Sequence, residues 1–208
     1  MCGIFGWVAD YHDTEPDPRL MQLAADGAAN RGPHAHGWAI PGQPTHRALG
    51  PLDPAHLPSG ARVLGHARLA TYGQSTDLAA VQPIEVDGHH LVHNGNAAAA
   101  YGEYPHAPSD TAALAIIYAA HRTSGHPPAA ALTYTAARID SAWALAVLDS
   151  DGSLWVSPHE SSQGPVLGVS RRTLVDAGSG RVRRIVAGYV ETGNHLMEQR
   201  RTAGGVRV

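Results

Sequence analysis

The sequence predicts a layered α+β domain, on three observations. Short strand-like segments recur up to about residue 92, interrupted by one helical segment ending near residue 30, two helical segments follow between residues 109 and 138, and strand-like segments resume at residue 143. With 208 residues, 43% of them apolar, the chain is long enough for one well-buried core and short for two catalytic domains. Residues 1–195 are therefore read as a single domain, and 196–208, which contains several arginines, as a C-terminal tail.

Gly3 to Val8 is a short apolar run with β-branched and aromatic members, which reads as a buried strand that ties down the terminus. Asp17-Pro18 supplies a cap and a first-turn proline for a helix with Leu20, Leu23, Ala24, Gly27 and Ala28 at helical spacing. That helix should stop near Asn30, before Arg31-Gly32-Pro33. Residues 41–60 are rich in Pro, Gly and His and read as an irregular surface excursion. Strands are expected at 62–69, 84–86 and 90–92. Ser109 caps a helix with Leu114, Ile117, Tyr118 and His121 on one face, and Pro127-Pro128 opens a second helix to about Arg138. Residues 143–148 and 154–157 flank Asp151-Gly152, a short hairpin signal. Further strands are expected at 166–170 and 182–190.

Charge and composition exclude several function classes. All 15 basic residues are arginines, against 18 acidic residues, for a net charge of −3. No basic footprint for a phosphate backbone exists, so direct nucleic-acid binding is not expected. The lack of lysine excludes Schiff-base chemistry. No segment approaches the roughly 18 apolar residues of a membrane span, and no basic stretch leads into an apolar run, so no membrane is involved and the expected location is cytoplasmic. The lone cysteine cannot form an internal disulfide, which suits a reducing compartment. Fourteen histidines raise the question of a metal. His34 and His36 are two apart, His89 and His90 are adjacent, and no cysteine or carboxylate joins them at ligand spacing, so no metal is expected. No phosphate-cradling loop with lysine is present, and no cofactor is expected.

The lone cysteine is at position 2. Removal of Met1 would place a thiol and a free α-amine on one residue, and an α-amine of pKa about 7.7 to 8.0 can serve as general base toward its own thiol. Taken alone, Cys2 reads first as a small hydrophobe opening a strand. Asn94-Gly95 alone reads as a hairpin turn, Asp110 as a first-turn helix charge and Arg68 as a surface charge.

Six segments in order change that reading. Cys2-Gly3-Ile4-Phe5-Gly6 is followed by Arg31-Gly32-Pro33 with Gly37-Trp38, then by 65–71 (GHARLAT), Gln82-Pro83-Ile84, 93–96 (HNGN) and Ser109-Asp110-Thr111. This series resembles the class II glutamine amidotransferases, the cysteine-type members of the N-terminal nucleophile hydrolases, over roughly residues 2–190. The resemblance implies a four-layer αββα sandwich. It implies that Cys2 attacks the side-chain amide of glutamine, with the Asn94 amide and the Gly95 N–H as the oxyanion hole. It implies that Arg68 clamps the substrate α-carboxylate, that Asp110 takes the α-ammonium, and that Thr71 supports the substrate. Arg31 and Gly32 resemble the loop that packs over the nucleophile. Two departures stand out: His34 lies where Asp or Gln is common, and Leu69-Ala70 where Tyr-Ser or Trp-Ala is common. The implied partner is a separate synthase or amide ligase that receives ammonia. Two alternatives are a stand-alone hydrolase of a γ-glutamyl amide or isopeptide, and a silent glutamine-binding regulatory subunit.

Overall fold

The computed structural model describes residues 2–9, 17–71, 74–140 and 143–158, together with four further strands within 167–191. Met1 and the tail 196–208 lie outside the described residues. The first sheet contains β1 (Gly3–Val8), β2 (Ala35–Ala39), β3 (His46–Leu49), β4 (Arg62–Arg68), β9 (Leu167–Gly168) and β12 (Gly188–Glu191), in the order β3-β2-β4-β1-β12-β9. The second contains β5 (Ile84–Val86), β6 (His89–Asn94), β7 (Ala144–Leu148), β8 (Leu154–Pro158), β10 (Val175–Ala177) and β11 (Arg183–Ile185), in the order β10-β11-β8-β7-β6-β5. Every pairing in both sheets is antiparallel.

The strand period of two sorts side chains into layers. Ile4 and Val8 of β1, with Leu64 of β4, meet Val92, Ala144, Ala146 and Leu148 of the second sheet between the sheets. Phe5 and Trp7 point the other way, onto Ala24, Ala25 and Ala28 of helix α1 (Pro18–Ala29). Leu91, Leu145 and Val147 face Leu114, Ile117, Tyr118 and Leu132 of helices α3 (Asp110–Thr123) and α4 (Pro128–Ala136). Helix, sheet, sheet and helix therefore stack in that order, the expected αββα arrangement. Burial on both faces explains why β1 and β7 read as continuous apolar runs.

Local signals placed most ends well. Asp17 accepts from the Arg19 N–H at the start of α1, which ends at Ala29, and Ser109 accepts from the Ala112 N–H at the start of α3. The Asp151-Gly152 turn joins β7 to β8, with Gly152 at φ +79°. The excursion at 41–60 is the main correction. It contains β3, which pairs with β2 from Ala35↔Leu49 to Trp38↔His46, and Leu52 is buried within it. Gly60 accepts from the Trp7 indole N–H at 2.9 Å, so the segment closes over the core. An edge strand of four residues has too little alternation to be read from its letters. Helix α2 (Ala98–Glu103) was not anticipated either, because no side chain caps its N-terminus.

Candidate active site

Cys2 stands just ahead of β1 in the first sheet, and Asn94 is the last residue of β6 in the second. The Cys2 nitrogen donates to Asn94 Oδ1 at 3.2 Å. That bond orients the amide: with the oxygen turned to the Cys2 nitrogen, the Nδ2 hydrogens point elsewhere and remain donors. Gly95 follows, exposed, and the chain continues into α2 instead of turning back into a neighbouring strand. The hairpin reading of Asn94-Gly95 is therefore wrong; β6 pairs with β5 and β7.

The thiol lies against Leu69. Its sulfur accepts from the Leu69 N–H at 3.4 Å and is 3.5 Å from the Leu69 carbonyl oxygen. Burial pushes the thiol pKa up, opposed by the Leu69 N–H and by the guanidinium charges of Arg68 and Arg31. The net direction is upward, so at neutral pH the sulfur holds its proton and needs a base. The buried histidines of the motifs are unsuited to that task. Burial holds His66 down to about 3, with His93 and Arg68 adding to the effect, and lowers His93 as well against the pull of Asp110. The α-amine that removal of Met1 would create is on Cys2 itself.

Arg31 holds the Cys2 main chain, and Gly32 packs on the end of β4. Arg31 Nε donates to the Cys2 carbonyl at 2.9 Å. A Cβ on Gly32 would overlap the Ala67 carbonyl and lie 2.6 Å from the Arg68 nitrogen, so this close approach requires glycine. The two departures from the family pattern meet here: the Ala70 N–H donates to His34 Nδ1 at 2.9 Å, while the His34 N–H donates to the Arg68 carbonyl at 3.0 Å. His34 thus pins residues 68–70, whose Leu69 N–H meets the sulfur.

Arg68 is buried, 6% exposed, and not the surface charge its letter suggests. Its Nη1 donates to the carbonyls of Gln74 and Ser75 at 3.0 and 3.4 Å. Thr71 is exposed, three residues past the end of β4. Asp110 opens α3, and its Oδ2 accepts from the Ala97 N–H at 3.0 Å while Oδ1 accepts from Thr111 N–H at 2.7 Å. The carboxylate therefore holds the loop that carries Gly95, a task beyond its expected one.

Two contributors escaped the sequence reading. Leu69 acts through its main chain, which no side-chain pattern signals. Gln82 belongs to a segment whose resemblance was noted without a role. It is 7% exposed, donates to Thr111 Oγ1 at 3.0 Å, and accepts from the His93 N–H at 2.6 Å. Among the described residues no cluster of histidine, cysteine or carboxylate side chains is arranged to hold a metal, and no helix is long and apolar enough to cross a membrane.

Two antiparallel sheets face to face, with Cys2 just ahead of a central strand and helices outside both, form an αββα sandwich of the N-terminal nucleophile hydrolase type. Among solved structures the chain is similar to glutamine phosphoribosylpyrophosphate amidotransferase from B. subtilis complexed with ADP and GMP, at a TM-score of 0.64 and 19% identity, over 95% of this chain and 43% of that one. It is also similar to a protein described as the allosteric regulatory enzyme of purine biosynthesis, at a TM-score of 0.61 and 19% identity, over the same shares. No family model and no curated relative matches the sequence. At this identity the likeness is one of fold, and the chain spans less than half the length of either neighbour.

Proposed function

We propose that the chain is a glutaminase domain of the glutamine amidotransferase type, with Cys2 as N-terminal nucleophile, supplying ammonia to a separate synthase or ligase. The observation that carries this reading is the 3.2 Å bond from the Cys2 nitrogen to Asn94 Oδ1, which sets the nucleophile's own nitrogen beside an amide whose NH2 group is left to donate. In the proposed reaction the neutral α-amine takes the thiol proton as sulfur bonds to the substrate carboxamide carbon. The carbonyl π electrons move to oxygen, where Asn94 Nδ2 and the Gly95 N–H stabilise the charge. Collapse breaks the C–N bond, the ammonium returns its proton to the leaving nitrogen, and ammonia departs from a γ-glutamyl thioester. Water then attacks with the amine as base, releasing glutamate and restoring the thiol. Arg68 and Asp110 supply one cation and one anion for the amino-acid end of the substrate.

The test is ammonia release from glutamine by protein whose intact mass lacks one methionine. Because a raised thiol pKa leaves the proton on sulfur, kcat/KM should rise with pH as the amine loses its proton. Full activity in protein that uniformly retains Met1 would refute the mechanism, since a peptide N–H accepts no proton.

Asn94 has two tasks that two variants separate. Asn94→Ala removes both the donor and the acceptor and should lower kcat about 10² to 10³-fold. Asn94→Asp keeps an oxygen for the Cys2 nitrogen but puts a carboxylate where the oxyanion forms, so its kcat should fall at least as far. A kcat unchanged in either variant removes Asn94 from the oxyanion hole.

A further inference from the structure

Gln82 sits where three parts of the molecule meet. Its main chain is clamped by the edge of the first sheet. Gly37 and Arg47, register partners on β2 and β3, meet the main chain of Gln82 and of Pro83 respectively. A Cβ on Gly37 would lie 2.6 Å from the Gln82 carbonyl oxygen, and Arg47 donates to the Pro83 carbonyl from Nε at 3.1 Å and Nη2 at 2.8 Å. From this anchored main chain the side chain reaches the other sheet and its helix. Oε1 accepts from the N–H of His93, the residue before Asn94, and Nε2 donates to the hydroxyl of Thr111, the residue after Asp110. Thr111 in turn faces Asp110 Oδ1 through its own N–H.

We propose that Gln82 is a positioning residue, which holds the strand end bearing the oxyanion donor and the helix start bearing the ammonium site at a fixed separation. The proposal rests on the roles read above for Asn94 and Asp110. A glutamine substrate spans that separation between its side-chain amide and its α-amine, so the distance sets whether both ends engage at once. The carboxamide suits this task because it is planar, donates at one end and accepts at the other, and carries no charge to compete with Asp110 for the substrate ammonium. Both bonds are buried, where an abandoned partner has no water to replace the loss.

The two bonds lead to different kinetic constants. Gln82→Met fills the same space but makes neither bond, so kcat should fall about tenfold and KM for glutamine rise about fivefold. Thr111→Val severs the helix side, where the Thr111 hydroxyl accepts from Gln82 and itself donates to Asp110 Oδ1 at 3.4 Å, and leaves the His93 bond intact. It should raise KM about fivefold with kcat within about twofold, and Thr111→Ser, which keeps the hydroxyl, should restore KM. Hydrogen exchange gives a readout independent of turnover: the His93 amide should exchange faster in Gln82→Met and at the wild-type rate in Thr111→Val. The proposal is overturned if folded Gln82→Met keeps both kinetic constants, or if Thr111→Val lowers kcat as far as Gln82→Met does. If Gln82→Met does not fold, the Thr111→Val and Thr111→Ser pair decides alone, and a kcat effect or failure of the serine to restore KM overturns it. Wild-type protein that releases no ammonia from glutamine refutes the proposed function instead; the positioning role then falls if His93 exchange is unchanged in Gln82→Met.

Discussion

Cys2→Ala is expected to release no ammonia from glutamine while retaining the native fold. The two halves of that expectation rest on different observations. The fold should survive because the sulfur's contacts with the Leu69 N–H and carbonyl, at 3.4 and 3.5 Å, are long, and the residue lies ahead of β1 where alanine fits the same backbone. Activity should not survive, because the proposed pathway runs through a covalent bond to that sulfur, and removal of a catalytic nucleophile lowers turnover on the order of 10⁶-fold. Cys2→Ser keeps a hydroxyl, but its pKa is far above that of a thiol, so the α-amine deprotonates it poorly and turnover should be severely reduced. The chain has one cysteine, so a diazoketone analogue of glutamine should add a single mass increment, at Cys2. Turnover in Cys2→Ala, or labelling of wild type elsewhere, would show that another residue performs the chemistry.

The parts of the candidate site that were legible in the sequence are those whose side chains carry the proposed chemistry. Cys2, Asn94, Arg68 and Asp110 carry groups whose chemistry can be named from the letter, and their order along the chain did the rest. What the letters concealed were the structural contacts that Asp110 and Arg68 make. Asp110 reads as a binding carboxylate, but it also accepts from Ala97 and so shapes the approach to Gly95. Arg68 reads as a clamp, and in the folded chain it also braces Gln74 and Ser75. Contacts made by main chain, such as Leu69 to the sulfur, leave no trace in a pattern of residue types. The fold followed the same division. β1, β4 and α3 were readable because burial on set faces dictates their composition. β2 and β3 were not, because small residues and an exposed edge leave the ladder itself to decide.

Asp149→Ala should destabilise the protein by about 3 to 5 kcal/mol, because it strands a half-buried cation and a buried hydroxyl. Asp149 follows β7 at the end opposite the row in which Ala144 pairs with Asn94. Its carboxylate is fully buried and accepts from Tyr118 Oη at 2.6 Å and from Arg122 Nε and Nη2 at 2.8 and 3.2 Å, joining α3 to the second sheet. Burial alone would push the carboxyl pKa up, but donation from His89, Arg122 and Tyr118 outweighs it and holds the carboxyl well below the usual carboxylate range. The sign of the pH effect follows: with a folded pKa below the unfolded value of about 3.9, the stabilisation is complete above that value and is lost as pH falls through the folded one. Chemical denaturation at neutral pH should therefore show the deficit in full, and the difference between wild type and Asp149→Ala should shrink below about pH 4. Arg122 is 20% exposed, which gives its abandoned charge some access to water and favours the lower end of the range. Because the network lies at the far end of the strand from Cys2, the folded fraction of Asp149→Ala should retain wild-type KM. A loss under 1 kcal/mol at neutral pH, or a deficit unchanged into acid, would show that the carboxylate does not anchor the helix layer.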